Sequence, residues 1–192
     1  MIRIRNKTLN ICFTAILTAL NVVMCIVTNN LYASQIVSFV YFFCFLAGVF
    51  LGTVSSACVG LMGYVISFMV AAYDLFNPFL LLSNALVGVI VALCQHLPIK
   101  SVSKKILIAF VIVSIVCTNF LNTFGQWWVA SGEWSTFGGY FVRVPWMVAV
   151  NALNVALVIL CVKKGVLQKM IKHSATLFEK QPLLEQEDKE DE

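Results

Sequence analysis

The side chains best suited to chemistry lie between Asn119 and Arg143, in the stretch NFLNTFGQWWVASGEWSTFGGYFVR. Trp127, Trp128 and Trp134 are three of the chain's four tryptophans, and they stand beside Phe124, Phe137, Tyr140 and Phe141. Asn119, Asn122, Gln126, Glu133 and Arg143 interleave with them. Flat aromatic walls with a few convergent polar groups suit a planar heterocyclic ligand. The same residues would also serve as an interfacial aromatic belt, because Trp and Tyr favour the headgroup zone. Arg143 precedes Pro145 by two residues and opens an apolar run. Its guanidinium could pair with Glu133 or Asp74, or grip a ligand carboxylate with two parallel hydrogen bonds. Asn151 and Asn154 share a helix face, as contacts between helices or as ligand contacts. A second loop, AAYDLFNPF, offers Tyr73, Asp74 and Asn77 before Pro78. Its Asn-Pro pair ends one run and starts the next, so it is equally a simple turn. The candidate binding set is Tyr73, Asp74, Asn77, Asn122, Trp127, Trp128, Glu133, Trp134 and Arg143.

Several kinds of chemistry lack their residues. No GxxxxGK[ST] phosphate loop is present, so the chain is not expected to hydrolyse ATP itself. Only Asp74 and Glu133 are acidic in the first 178 positions, and both fall in loops between apolar runs. An ion-driven carrier would be expected to hold an acid within a span. The two histidines, His96 and His173, and the seven cysteines form no metal-ligand spacing or CxxC pair. No Ser/His/Asp set stands out. The expectation is a binding and transport unit that borrows its energy: not an enzyme, with no cofactor, no metal and no nucleic-acid partner.

The elements that must position these residues are membrane helices. The chain is 60% hydrophobic and 11% charged, with mean hydropathy +0.92. That much apolar surface cannot be hidden in a water-soluble domain. Apolar runs occur at about 9–28, 36–52, 56–72, 79–94, 106–122 and 142–162. Each is uniformly apolar where a barrel strand would alternate, and helices satisfy their own backbone groups in lipid. Cations gather at Arg3, Arg5 and Lys7, at Lys100, Lys104 and Lys105, and at Lys163, Lys164, Lys169 and Lys172. Six spans place all three groups on one face, which the excess of cations marks as cytoplasmic. The expected fold is therefore an all-α membrane protein, six transmembrane helices in a compact bundle with both termini cytoplasmic. Residues 1–172 form the membrane domain. Residues 173–192 form an acidic, disordered tail that cannot bury apolar area.

Ala15 and Ala19 lie four apart in the first run, and small residues at that spacing let another helix approach closely. Gly48, Gly52, Gly60 and Gly63 suggest tight packing of the second and third runs within the bundle. Together with the six-span pattern, AILTA at 15–19, LAGVFLGTVSSACVGLMGYVIS at 46–67 and NPFLLLSNALVGVIVAL at 77–93 resemble the S components of energy-coupling factor (ECF) vitamin transporters. The likeness runs from about Ile4 to Lys164. It implies a substrate-binding subunit in a bacterial cell membrane. It also implies docking through Ala15 and Ala19 on a membrane T component that works with two ATP-binding subunits, and capture of a vitamin from outside. NFLNT at 119–123 and FVRVPW at 141–146 look most like the folate subgroup. Trp-rich outer loops also occur in thiamine binders. A structural membrane protein with belt tryptophans and no ligand is the rival reading.

Overall fold

The computed structural model describes residues 7–31, 39–71, 76–130, 144–165 and 169. Among them every regular element is helical: α1 Lys7–Leu31, α2 Val40–Phe50, α3 Thr53–Ala71, α4 Pro78–Cys94, α5 Val102–Val113, a π-helical segment Ser114–Asn122, α6 Thr123–Ala130 and α7 Val144–Lys164. The segments from α5 to α6 form one continuous rod, so the six expected runs appear as six rods. Among the described residues, four stretches are long and apolar enough to cross a membrane: Lys7–Val27, Thr53–Val70, Val102–Trp128 and Val144–Lys164. The shorter apolar helices α2 and α4 complete the bundle.

Burial patterns explain the packing. On α1, Leu9, Phe13, Leu17, Asn21 and Cys25 recur every four residues and form the buried row. The opposite face carries exposed Ile11, Ile16, Leu20 and Val23, as a lipid-facing surface should. Helix α2 is apolar all round because it lies in the middle, touching α1, α3, α4 and α7. Its residues Phe45, Cys44 and Ala47 are fully enclosed. A helix without a polar face needs such surroundings.

Glycines set the closest approaches. A methyl group at Gly88 would lie 2.7 Å from the Ser56 carbonyl oxygen, and one at Gly60 would collide with the Asn84 backbone. Helices α3 and α4 therefore meet backbone to backbone, as small residues permit in lipid. Gly48 and Gly63 are likewise close-packed, as the sequence suggested. Gly52 serves differently. Its φ of 103° turns the chain between α2 and α3, a conformation that costs glycine nothing. Asn10 fastens this turn: its Nδ2 donates to the Leu51 carbonyl at 3.2 Å, and Ser55 Oγ donates to its Oδ1 at 2.9 Å.

The chain alternates direction through these rods, so Lys7, Lys100, Lys104, Lys105, Lys163 and Lys164 fall at one end. There Lys105 Nζ donates to the Gln95 carbonyl at the α4 C-terminus, at 2.6 Å. A cation at that end of a helix is favourable. The fifth rod departs from expectation. It was expected to end at Asn122 and instead remains helical to Ala130. Phe124, Trp127 and Trp128 therefore sit on a helix, with fixed directions.

Candidate functional site

Inside the bundle α2, α4, the fifth rod and α7 surround a buried polar cluster. Asn122 Nδ2 donates to the Tyr41 hydroxyl at 2.8 Å. Tyr41 Oη and Ser83 Oγ lie 3.1 Å apart, and Ser83 Oγ reaches the Cys117 carbonyl at 3.5 Å. Asn151 Nδ2 donates to Thr118 Oγ1 at 3.0 Å. Asn154 is fully enclosed one helical turn beyond Asn151. Buried polar groups in lipid are costly and are held where neighbours can satisfy them.

The π-helical segment makes this arrangement. Its buried side chains come in adjacent pairs, Cys117 with Thr118 and Leu121 with Asn122, following Val113 and Ser114. The wide i→i+5 turn keeps these pairs on the inner face. Thr123 Oγ1 donates to the Thr118 carbonyl five residues back, at 3.3 Å. Two amide oxygens on this segment, Asn119 Oδ1 and Asn122 Oδ1, are enclosed without a hydrogen-bond partner among the described residues. The buried polar side chains of the described residues are all neutral: Asn, Ser and Thr.

An aromatic group lies at the end opposite the lysines. Phe124 meets Phe79 edge to face at 5.1 Å and Trp127 at 5.3 Å between ring centroids. Trp127 and Trp128 diverge, since neighbouring helix positions point about 100° apart. Trp127 is 6% exposed and faces inward, whereas Trp128 is 61% exposed and faces the bundle's surroundings.

Asn77 is buried at the same end and has a structural task. Its Oδ1 accepts from the backbone N–H of Phe79 at 3.0 Å and of Leu80 at 3.3 Å, capping α4 with Pro78 in the first turn. Its own N–H donates to the Tyr64 hydroxyl at 3.2 Å. A methyl group at Gly125 would lie 2.7 Å from Phe79 Cβ and 3.1 Å from Asn77 Oδ1, so the fifth rod rests on this cap.

Of the candidate residues, Asn77, Asn122 and Trp127 are buried toward this end and the middle of the bundle, and Trp128 is not. Tyr73, Asp74, Glu133, Trp134 and Arg143 lie outside the described residues. Ala15 and Ala19 are both exposed on α1. Sequence reasoning missed Tyr41, Ser83 and Thr118. Each is a single hydroxyl in a largely apolar run, and only packing shows that the three converge.

The family model described as ECF-type riboflavin transporter, S component, matches residues 5–132. No curated protein and no solved structure matches the chain. The matched stretch covers α1 through α6 and includes Tyr41, Ser83, Thr118, Asn122 and Trp127. The chain belongs to the family of S components of ECF-type riboflavin transporters.

Proposed function

We propose that this chain binds a planar vitamin with a neutral hydrogen-bonding ring, riboflavin first, and delivers it across the membrane with energy from separate ATPase subunits. S components are membrane-embedded transporter subunits and not enzymes, and they work with T and ATPase modules. The observation that carries the ligand reading is the neutral polar cluster around Asn122, below inward-facing Trp127. Among the described residues the oxygens of Asn119 and Asn122 have no donor, and an N–H of a ligand would supply one. An enclosed acceptor without a donor costs about 1–3 kcal/mol. A flavin ring carries an imide N–H and broad aromatic faces, which match these oxygens and the Trp127 and Phe124 walls. A carboxylate or a cationic ring would meet no opposite charge among the described residues of that cluster. The folate-like motifs at 119–123 and 141–146 make folate the second ligand to test, with Arg143 as the group for its carboxylates.

The test is a titration of the purified protein with riboflavin, folate and thiamine, following tryptophan emission and, for riboflavin, flavin emission. Riboflavin is expected to saturate one site. Asn122→Leu is expected to weaken it about 10- to 100-fold, roughly 1.4–2.8 kcal/mol. A response to folate alone would replace the ligand, and no response to any ring vitamin would overturn the reading.

A further inference from the structure

We infer that Asn21 is a positioning residue that couples docking of α1 to occupancy of the binding site; this rests on the transporter reading above. Asn21 is the one polar member of the α1 buried row among the described residues, and it is 0% exposed. Its Nδ2 donates to the Val59 carbonyl of α3 at 3.1 Å and lies 3.9 Å from Cys44 Sγ of α2. Its amide also fills the space left by Gly63, where a methyl group would displace it. One side chain thus ties α1 to both α2 and α3. Its Oδ1 has no hydrogen-bond partner among the described residues. A polar group held this way inside a membrane bundle is costly where a leucine would pack, which points to a role beyond stability.

Two of these contacts, at Gly63 and Cys44, lead toward described members of the candidate site. Gly63 is followed by Tyr64, whose hydroxyl accepts the Asn77 N–H, and Asn77 caps α4 and supports the rod bearing Trp127. Cys44 stands one helical turn from Tyr41, which accepts the Asn122 amide. On the other side of α1, exposed Ala19 is two residues away. Asn21 touches neither the exposed Ala15–Ala19 face nor the polar cluster around Asn122, and it stands between them. A second clamp, Asn10 on Leu51 and Ser55, holds the same two helices three turns nearer the lysine end. Movement of α1 against a partner helix would therefore carry α2 and α3 with it, and with them the supports of Tyr41 and Asn77. Contiguity of contacts suggests coupling, and only a change in coupling demonstrates it.

The experiment uses the full chain reconstituted with its T component and ATPase subunits in lipid. It measures riboflavin affinity of the chain alone, T-component affinity with and without riboflavin, and uptake. Docking is expected to differ between loaded and empty wild-type protein. In Asn21→Ala, riboflavin affinity is expected to stay within about threefold, the loaded-to-empty docking ratio to collapse toward one, and uptake to fall about tenfold or more. Asn21→Ser, which keeps a donor but loses the amide's reach, and Gly63→Ala, which displaces the amide while leaving it intact, are expected to act in the same direction. They also answer the question if Asn21→Ala does not fold. An unchanged docking ratio in these variants would overturn the inference, as would losses that merely track a lowered melting temperature. Wild-type protein that bound no vitamin would instead overturn the transporter reading on which the inference stands.

Discussion

Trp127 and Trp128 show how far one residue position changes a role. Both are aromatic, both sit near Phe124, and helix geometry sends one inward and the other outward. On the reading proposed above, the inward ring would contact the ligand and the outward ring, 61% exposed, would anchor at the headgroups. Trp127→Leu is therefore expected to lose about tenfold or more in riboflavin affinity, roughly 1.4 kcal/mol or more. Trp128→Leu is expected to stay within about threefold. Equal losses at both positions, read by the same titration, would mean that the pair acts as one lid. The sequence marked this stretch because bulky aromatics beside amides are conspicuous in it. It could not divide the pair, because the expected end of the fifth span at Asn122 left their directions open. Nor could it find Tyr41, Ser83 and Thr118, since a lone hydroxyl in an apolar run is informative only once its neighbours are known.

Helix α1 presents three distinct faces. Its buried row packs the core, its Asn10–Thr14–Thr18 row turns hydroxyls back onto its own carbonyls and clamps the α2–α3 turn, and Ala15 and Ala19 lie on the exposed side. Position on the outer face was not readable from AILTA alone, since small residues four apart also occur inside bundles. The glycines were more legible: Gly48, Gly60 and Gly63 lie in close contacts, whereas Gly52 supplies a turn that small size alone did not reveal. Because Ala15 and Ala19 point away from the core, Ala15→Trp or Ala19→Trp adds bulk without forcing the bundle apart. If this is the docking face, either change is expected to abolish co-purification with the T component. Vitamin affinity is expected to stay within about twofold, because no pocket residue is touched. Parallel loss of binding and docking would assign the alanines to internal packing.

At the scale of the whole molecule, charge and chain direction argue together for orientation. The lysines of the described residues lie at one end, and the aromatic group with capped α4 lies at the other. Cations are retained on the cytoplasmic side during insertion, so the aromatic end is expected to face outward. Helix α2 adds a depth. Its C-terminal end meets Asn10 at the lysine end through Leu51, and ten residues separate Leu51 from Tyr41. At 1.5 Å per residue Tyr41 lies about 15 Å from that end, near the middle of a hydrocarbon core about 30 Å thick. Phe45, Val49 and Phe50 are packed in the core between the polar cluster and the lysine end, so a ligand is expected to reach the cluster from the aromatic side. Two measurements follow. A fluorescent protein fused to the C-terminus should fold and emit, while a phosphatase that is active only outside the cytoplasm should be silent there. Sealed right-side-out vesicles containing the chain without its partners should bind riboflavin, and inside-out vesicles should bind it only after permeabilisation. Binding by sealed inside-out vesicles would place the open end of the cluster on the lysine side and reverse the orientation argued from the cations.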